Sequence, residues 1–558
     1  MGYNEFTFGS RRSDVLSTRG MVSSSQPLAT QAGLDILKQG GNAADAAIAT
    51  VACLNVTEPS STGIGGDAFC LFYSAKDKSV RAINGSGRSP QAVTLEKVLS
   101  ELPQGSTQIP YNSPHAITVP GACAAMVDTV KKFGSGKLSM SDIYSRAIQL
   151  AEEGYPVSDI TAHEWGKSEG LLSKACNGHE MLLNGRAPKA GEVIRLPNLA
   201  KTYRAVAEHG KDGFYKGKIA EAIVAVITSQ GGVMSLEDLA AHSTEEVEAI
   251  SYKFQDKVQV YECPPNGQGL TALIAMGLLD VLQEDKIIPS LEDLDPHSPA
   301  YLHLLIEVLR IAFADTRQHV TDTDFYHIPA SHFLNKEYLR SRAKLFNPTT
   351  SSVDVNAGSP LNSSNTAHLA VVDEEGNACS FIMSNYNGFG SCMVPKGYGF
   401  TLQNRGCNFS LGRSHPNRIE PKKRPYHTII PAMALMPDNE LWLCFGVMGA
   451  FMQPQGQLMV LLNCLIGKMS PQRAIDHPRF CISPDDGIVL IEPGFSDETV
   501  VALQKMGHRI KVVTGYDRTV FGRGQMIQRT LQSHTDGTRS AVLTGACDPR
   551  SDGQVAGY

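Results

Sequence analysis

The chain has 558 residues, 42% hydrophobic, 19% charged and 7% aromatic, which suits an ordinary folded protein and excludes disorder, collagen or a coiled coil. Length sets a prior of roughly three to four domains, or one large α/β enzyme domain. Fifty Lys and Arg against 56 Asp and Glu give a formal charge of −6, and without a basic block neither nucleic acid nor an anionic membrane has an electrostatic reason to bind.

Residues 1–16, MGYNEFTFGSRRSDVL, lack the apolar run of a secretory signal, and position 6 is Phe6 rather than the Ser or Thr of a myristoylation signal. Export is therefore not expected. Apolar residues at helical spacing predict a helix over 28–37, ending at Gly40-Gly41, after which Asn42 caps an Ala-rich helix through Ala52. Asp45, Thr50 and Asn55 interrupt the stretch 43–56, so it is not read as a membrane span. A loop, Ser60 to Asp67, then leads into a strand over 68–73. Residues 140–345 read as mostly helical, most clearly over 300–319, with Ser298 as cap and Pro299 at the first helical position.

Over 347–365 the sequence becomes NPTTSSVDVNAGSPLNSSN, too polar to pack and long for a connector, so it is expected to be flexible. Apolar runs over 368–373 and 378–383, joined by Glu374-Glu375-Gly376-Asn377, predict a hairpin immediately after it. Further strands are expected over 432–436, 441–447 and 487–492, helices over 457–465 and 497–506, and a last hairpin turning at Asp536-Gly537. No internal repeat is present.

Several usual signatures are absent. Gly63-Ile64-Gly65-Gly66-Asp67-Ala68 has dinucleotide-fingerprint spacing, but it precedes a strand instead of following one. There is no phosphate-binding GKS/T loop, no H-E-x-x-H and no G-x-S-x-G elbow. The twelve cysteines stand singly, without a C-x-x-C pair, as expected of reduced core thiols in a cytoplasmic protein.

What remains is Asn365-Thr366-Ala367-His368, a hydroxyl residue between a polar linker and a strand. On spacing alone Thr366 reads as a loop threonine leading into the hairpin, as turn chemistry favours. Cleavage before it would instead make its hydroxyl a nucleophile with its own α-amine as base.

The blocks Gly40-Gly41-Asn42-Ala43-Ala44-Asp45-Ala46, Gly63 to Asp67, Thr366-Ala367-His368, Phe389-Gly390-Ser391, Gln403-Asn404, Lys423-Arg424-Pro425, Gly446-Val447-Met448-Gly449 and Asp548 to Gly553 together resemble the γ-glutamyltranspeptidase family of N-terminal nucleophile hydrolases, over 17–558. The resemblance implies an α/β fold, a four-layer αββα sandwich made from one precursor that cleaves itself between Asn365 and Thr366. A large subunit, 1–365, and a small one, 366–558, would stay together as a heterodimer. It also implies that Thr366 is the nucleophile, that Ser384 orients its amine, and that Gly449 belongs to a glycine pair whose N–H groups hold the oxyanion. The second glycine is Ala450 here. No metal or organic cofactor is implied.

The departures bear on substrate. Glutathione-cleaving members typically carry a polar or acidic residue, and an Asp for the substrate ammonium, where this chain has Arg405 and Asn408 after Asn404. The anionic clamp is therefore expected to be missing. A Ser-Ser pair for the carboxylate is replaced by His427-Thr428, and Arg88 lies in a block like the one that supplies the family's carboxylate-binding arginine. Arg88 and Arg405 favour an acyl group ending in a carboxylate, because guanidinium binds carboxylate bidentately. His427 reads equally as a satisfied core histidine, and Arg424 equally as a surface ion pair. These blocks resemble the branch that includes oxamate amidohydrolases and cephalosporin-acylase-like proteins. The expectation is a threonine amidase for γ-glutamyl or similar carboxylate-bearing amides. The alternatives are an amidohydrolase for monoamides lacking the α-amino group (oxamate-like, glutaryl), and a non-catalytic binding relative.

Overall fold

The computed structural model describes residues 12–351, 364–483 and 486–558, with backbone alone at 364 and 365. Most of the expected linker, 352–363, lies outside the described residues.

Two antiparallel seven-stranded sheets stack face to face. The first runs in the order Gln554–Gly557, Met21–Ser24, Ser364–Val372, Ala378–Asn387, Asp67–Ser74, Ser79–Gly85, Glu245–Val247. The second runs Val15–Ser17, Arg539–Cys547, Arg523–Ser533, Leu441–Met448, Ala432–Leu435, Val258–Glu262, Ile250–Phe254. Strand alternation assigns the faces. Ala367, Leu369 and Val371 pack outward against helices Pro27–Lys38, Ala43–Thr57, Ala122–Phe133 and Met140–Glu153, while Ala370 and Val372 face the second sheet with Phe69, Ile382, Met433 and Cys444. Beyond the second sheet, Gly269–Glu284, Pro299–His319 and Met452–Leu465 form the outer layer. The result is the expected αββα sandwich.

Local chemistry explains the central helices. Asn42 accepts from the N–H groups of Ala44 and Asp45, and Asp45 accepts from the N–H of Asn42; such a cap contributes about 1 kcal/mol. Every residue of Ala43–Thr57 is buried, so it shows no polar stripe; its alanines let it pass between sheet and outer helices. Pro299–His319 begins as its sequence indicates, with Ser298 accepting from Tyr301 N and Pro299 in the first turn.

The segment 140–345 is mostly helical, as expected, but it also contributes the short strands Glu245–Val247, Ile250–Phe254 and Val258–Glu262, which the sequence did not announce. These short strands close an edge of each sheet, and their partly exposed, charged residues mask the alternation. The strand that holds Thr366 also starts earlier than expected, at Ser364.

Candidate active site

Thr366 sits at an irregularity in its strand. Asn365 pairs with Tyr386 and Ala367 with Met383, so Ser384 and Asn385 are both opposite Thr366. This two-against-one bulge turns the hydroxyls inward: Thr366 Oγ1 donates to Ser384 Oγ at 3.1 Å, and Ser384 Oγ also accepts from Tyr386 N at 2.8 Å. Tyr386 takes a positive φ of 77° there. Two residues along, His368 Nε2 meets Ser380 Oγ at 2.9 Å, and Ser380 reaches across to the Phe445 carbonyl. Gly446 makes room for that ring, since a Cβ there would stand 2.6 Å from His368 Nε2. Burial holds the His368 pKa down to about 3, so it packs as a neutral ring.

Asp67 lies opposite Ser384 on the neighbouring strand. Its Oδ1 accepts from Gly87 N and Gly121 N at 3.0 and 3.1 Å, and its Oδ2 lies 3.1 Å from His427 Nε2. Burial pushes the Asp67 carboxyl up to about 6, against the pull of Arg405 and those two N–H groups. Burial, then Arg405, drives His427 far below its usual value. With Ile429 N at 3.4 Å from Nδ1, the consistent tautomer is neutral, with Nε2–H donating to Asp67.

Arg405 is fully buried, its guanidinium 4.2 Å above the Tyr386 ring and its Nη1 donating to Thr428 Oγ1 at 2.6 Å. Its Nε and Nη2 have no hydrogen-bond partner among the described residues, and burial brings its pKa down to about 10. A buried charged donor left unpaired is costly, so the two open guanidinium donors beside Thr428 are chemically suited to receive an anion. Gln268 ties this region to the next element: its Nε2 donates to Thr428 O and Ala450 O, and its Oε1 accepts from Tyr426.

Gly449 and Ala450 form the turn between Leu441–Met448 and Met452–Leu465. Met452 N and Gln453 N bond the carbonyls of Gly449 and Ala450, while among the described residues neither turn N–H has a hydrogen-bond partner. Two free N–H groups at the start of a 14-residue helix make a place for developing negative charge. Gly449 has φ 133° and Ala450 φ 50°; the second is a left-handed conformation that alanine adopts only under strain.

The structure thus joins Thr366, Ser384, Arg405, Thr428, Gly449 and Ala450 through Tyr386 and Gln268. Other expected residues are placed elsewhere. Arg88 is corrected: its guanidinium binds Asp322, Glu245 and Asp324, so its charge is already matched. Arg424, rather than being a surface pair, is buried against Glu245 and the Ser86 carbonyl. Asn404 bridges Asn387 N and Tyr111 O, and Asn408 donates to Tyr426 O; both hold backbone. The missing anionic clamp needs qualification too, because the carboxyl of Asp67 lies near Arg405, although three donors already hold it. Sequence reasoning overlooked Asp67 and Gln268. The signal for Asp67 was an acidic residue opening a strand of otherwise apolar residues, Asp67–Ser74.

Comparison with known proteins identifies the family. The gamma-glutamyltranspeptidase family profile matches residues 29–558. The glutathione hydrolase-like YwrD proenzyme of Bacillus subtilis is 35% identical over 97% of this chain and 99% of its own length. The oxamate amidohydrolase proenzyme of Klebsiella pneumoniae is 31% identical over 98% and 100%. The crystal structure of cephalosporin acylase from Bacillus halodurans superposes with a TM-score of 0.87 at 38% identity, covering 100% of this chain and 98% of that one.

Proposed function

Because the chain belongs to the γ-glutamyltranspeptidase family and is an amidohydrolase of that self-processing type, we propose that Thr366 is its nucleophile and that it cleaves amides of carboxylate-bearing acyl groups. The observation that carries this reading is the hydrogen bond from Thr366 to Ser384 inside the bulge.

In the precursor, Thr366 Oγ1 attacks the Asn365 carbonyl and the peptide C–N bond breaks, moving the acyl group to oxygen. Water then hydrolyses the ester and frees the Asn365 carboxylate and the Thr366 α-amine, giving subunits 1–365 and 366–558. In turnover the α-amine takes the hydroxyl proton as Oγ1 attacks the substrate amide. The N–H groups of Gly449 and Ala450 receive the oxyanion, a contribution of about 3 kcal/mol per donor. The leaving amine receives that proton from the α-ammonium, and a water deprotonated by the same α-amine then hydrolyses the acyl-enzyme. Ser384 orients the Thr366 groups, and Arg405 with Thr428 grips the acyl carboxylate.

A second reading, an acyl group without an α-ammonium such as an oxamate-like or glutaryl monoamide, is favoured by Asp67. Its oxygens already accept from Gly87, Gly121 and His427, so among the described residues the carboxylate that acts on Arg405 is already engaged and poorly placed to hold an ammonium. We place the enzyme in the cytoplasm, on the strength of twelve free cysteines.

The test is a denaturing gel with intact mass. Wild-type protein should run as two fragments meeting at residues 365 and 366, and Thr366→Ala as one uncut, inactive chain. An uncut, active Thr366→Ala protein would overturn the reading.

A further inference from the structure

Away from the active site, helix Pro299–His319 carries His303 and Glu307 one turn apart, and His508 comes against them from the segment after Asp497–Lys505. All three are buried, and one ligand atom from each lies within 4.8 Å of the others. His303 Nδ1 stands 2.7 Å from His508 Nε2, while His303 Nε2 is 2.7 Å from the Asn347 carbonyl. The carbonyl accepts only from Nε2–H, so His303 Nδ1 is a lone pair directed at His508. That is how a metal-bound histidine is held, with its far N–H fixed on a carbonyl. Glu307 Oε1 accepts from Arg310 and Ser351, contacts that fix its carboxylate. Without an ion the donor chain ends at His508 Nδ1, a buried lone pair with no hydrogen-bond partner among the described residues.

We propose that His303 Nδ1, Glu307 and His508 Nε2 bind one divalent transition-metal ion of the zinc class. Two imidazoles and one carboxylate are a borderline nitrogen and oxygen donor set, suited to Zn2+ or Co2+ rather than Mg2+ or Ca2+. Nitrogens bound tetrahedrally at about 2.05 Å lie about 3.3 Å apart, so the histidine pair opens by about 0.6 Å from its 2.7 Å contact. The proton on His508 Nε2 moves to Nδ1, leaving both rings neutral and each giving one lone pair to the ion. The fourth position goes to water. The ligands come from both sides of the 365/366 bond, so the ion staples the two parts together.

The experiment uses tag-free full-length protein, stripped with chelator, loaded with Zn2+ or Co2+ and dialysed. One retained equivalent and a thermal midpoint that rises until that equivalent is bound are expected. His303→Ala and His508→Ala should lose the ion, and Glu307→Gln should bind it tenfold or more weakly. X-ray absorption of the wild-type Zn2+ protein gives a readout independent of variant folding, with a nitrogen/oxygen shell near about 2.0–2.1 Å and imidazole outer scattering. The uncut Thr366→Ala chain should bind equally, which separates this site from the role given to Thr366. Failure to retain the ion, an absorption spectrum without imidazole, or equal retention by His303→Ala would overturn it.

Discussion

The Thr366 hydroxyl donates to the Ser384 hydroxyl at 3.1 Å, across a strand pair in which two residues oppose one. Ser384 is fixed in turn by the N–H of Tyr386, so the acceptor cannot swing away when a proton leaves Thr366.

Removing that acceptor should slow both stages of the chemistry. Ser384→Ala is expected to lower the rate of self-cleavage and the kcat of matured enzyme by about a hundredfold, the typical effect of a misplaced reacting group. A time course of precursor and fragments on a gel, with kcat on the fraction cleaved, checks this. An unchanged processing rate would remove Ser384 from the mechanism.

Arg405 should govern affinity more than turnover. Its open Nε and Nη2 suit a carboxylate's two oxygens, and lysine cannot present that fork. Arg405→Lys should raise KM roughly 10- to 100-fold, as expected from about 1.5–3 kcal/mol for a charged hydrogen bond, with kcat changed less. A substrate panel differing only in the α-amino group measures the other half of the site: wild-type enzyme should turn over the deaminated monoamide at least as well as the γ-glutamyl compound. A clear γ-glutamyl preference would show that an ammonium is held.

The Gly449-Ala450 turn, proposed to receive the oxyanion, leads to opposite forecasts for neighbouring positions. Gly449→Ala puts a Cβ 3.2 Å from Gly522 Cα and Met452 Cβ at a φ of 133°, and should cost about 10²–10³ in kcat as the N–H donors move. Ala450→Gly relieves a left-handed alanine at φ 50° and should stabilise the fold by about 0.5–1 kcal/mol with activity kept. Urea unfolding of the matured protein, beside kinetics, separates the two.

Asp67 gives a pH signature. Its native pKa of about 6, raised by burial, lies above the unfolded value of about 3.9, so the native chain holds that proton more tightly. Its contribution to stability is fully present below about pH 4 and is lost as pH rises to about 6, a change of about 3 kcal/mol at 1.36 kcal/mol per unit. Asp67→Asn should remove this slope, so wild type and variant should diverge in urea titrations between pH 4 and 7. Parallel curves would mean that Asp67 titrates as an ordinary carboxylate.

Much of this was legible in the sequence where the signal is local. Ser298 and Pro299 announce a helix start, and Gly376-Asn377 between apolar runs announces a hairpin; both are where expected. Thr366 is different, because its surroundings read as turn chemistry and only the ordered blocks of family resemblance pointed to a nucleophile. Asp67 escaped notice because its partners lie 20, 54 and 360 positions away. Arg88 misled for the reverse reason. A guanidinium beside a family-like block suggests a ligand, while the carboxylates that neutralise it, Glu245, Asp322 and Asp324, converge only in three dimensions. Short strands such as Ile250–Phe254, half-exposed and carrying a lysine, lack the periodicity that identifies a core strand.

The strand order has a consequence for how the molecule ages. Met21–Ser24 is hydrogen-bonded on one side to Ser364–Val372 and on the other to Gln554–Gly557, and Ala432–Leu435 is likewise bonded to Val258–Glu262. Residues 1–365 and 366–558 are woven through each other's sheets, so the proposed cut at 365/366 would change almost nothing while the molecule is folded. Its effect would come at the first full unfolding. A contiguous polypeptide can thread these strands by itself, but two severed pieces must find each other at a rate set by their concentration. Heat damage that the uncut form repairs would therefore be permanent for dilute mature enzyme.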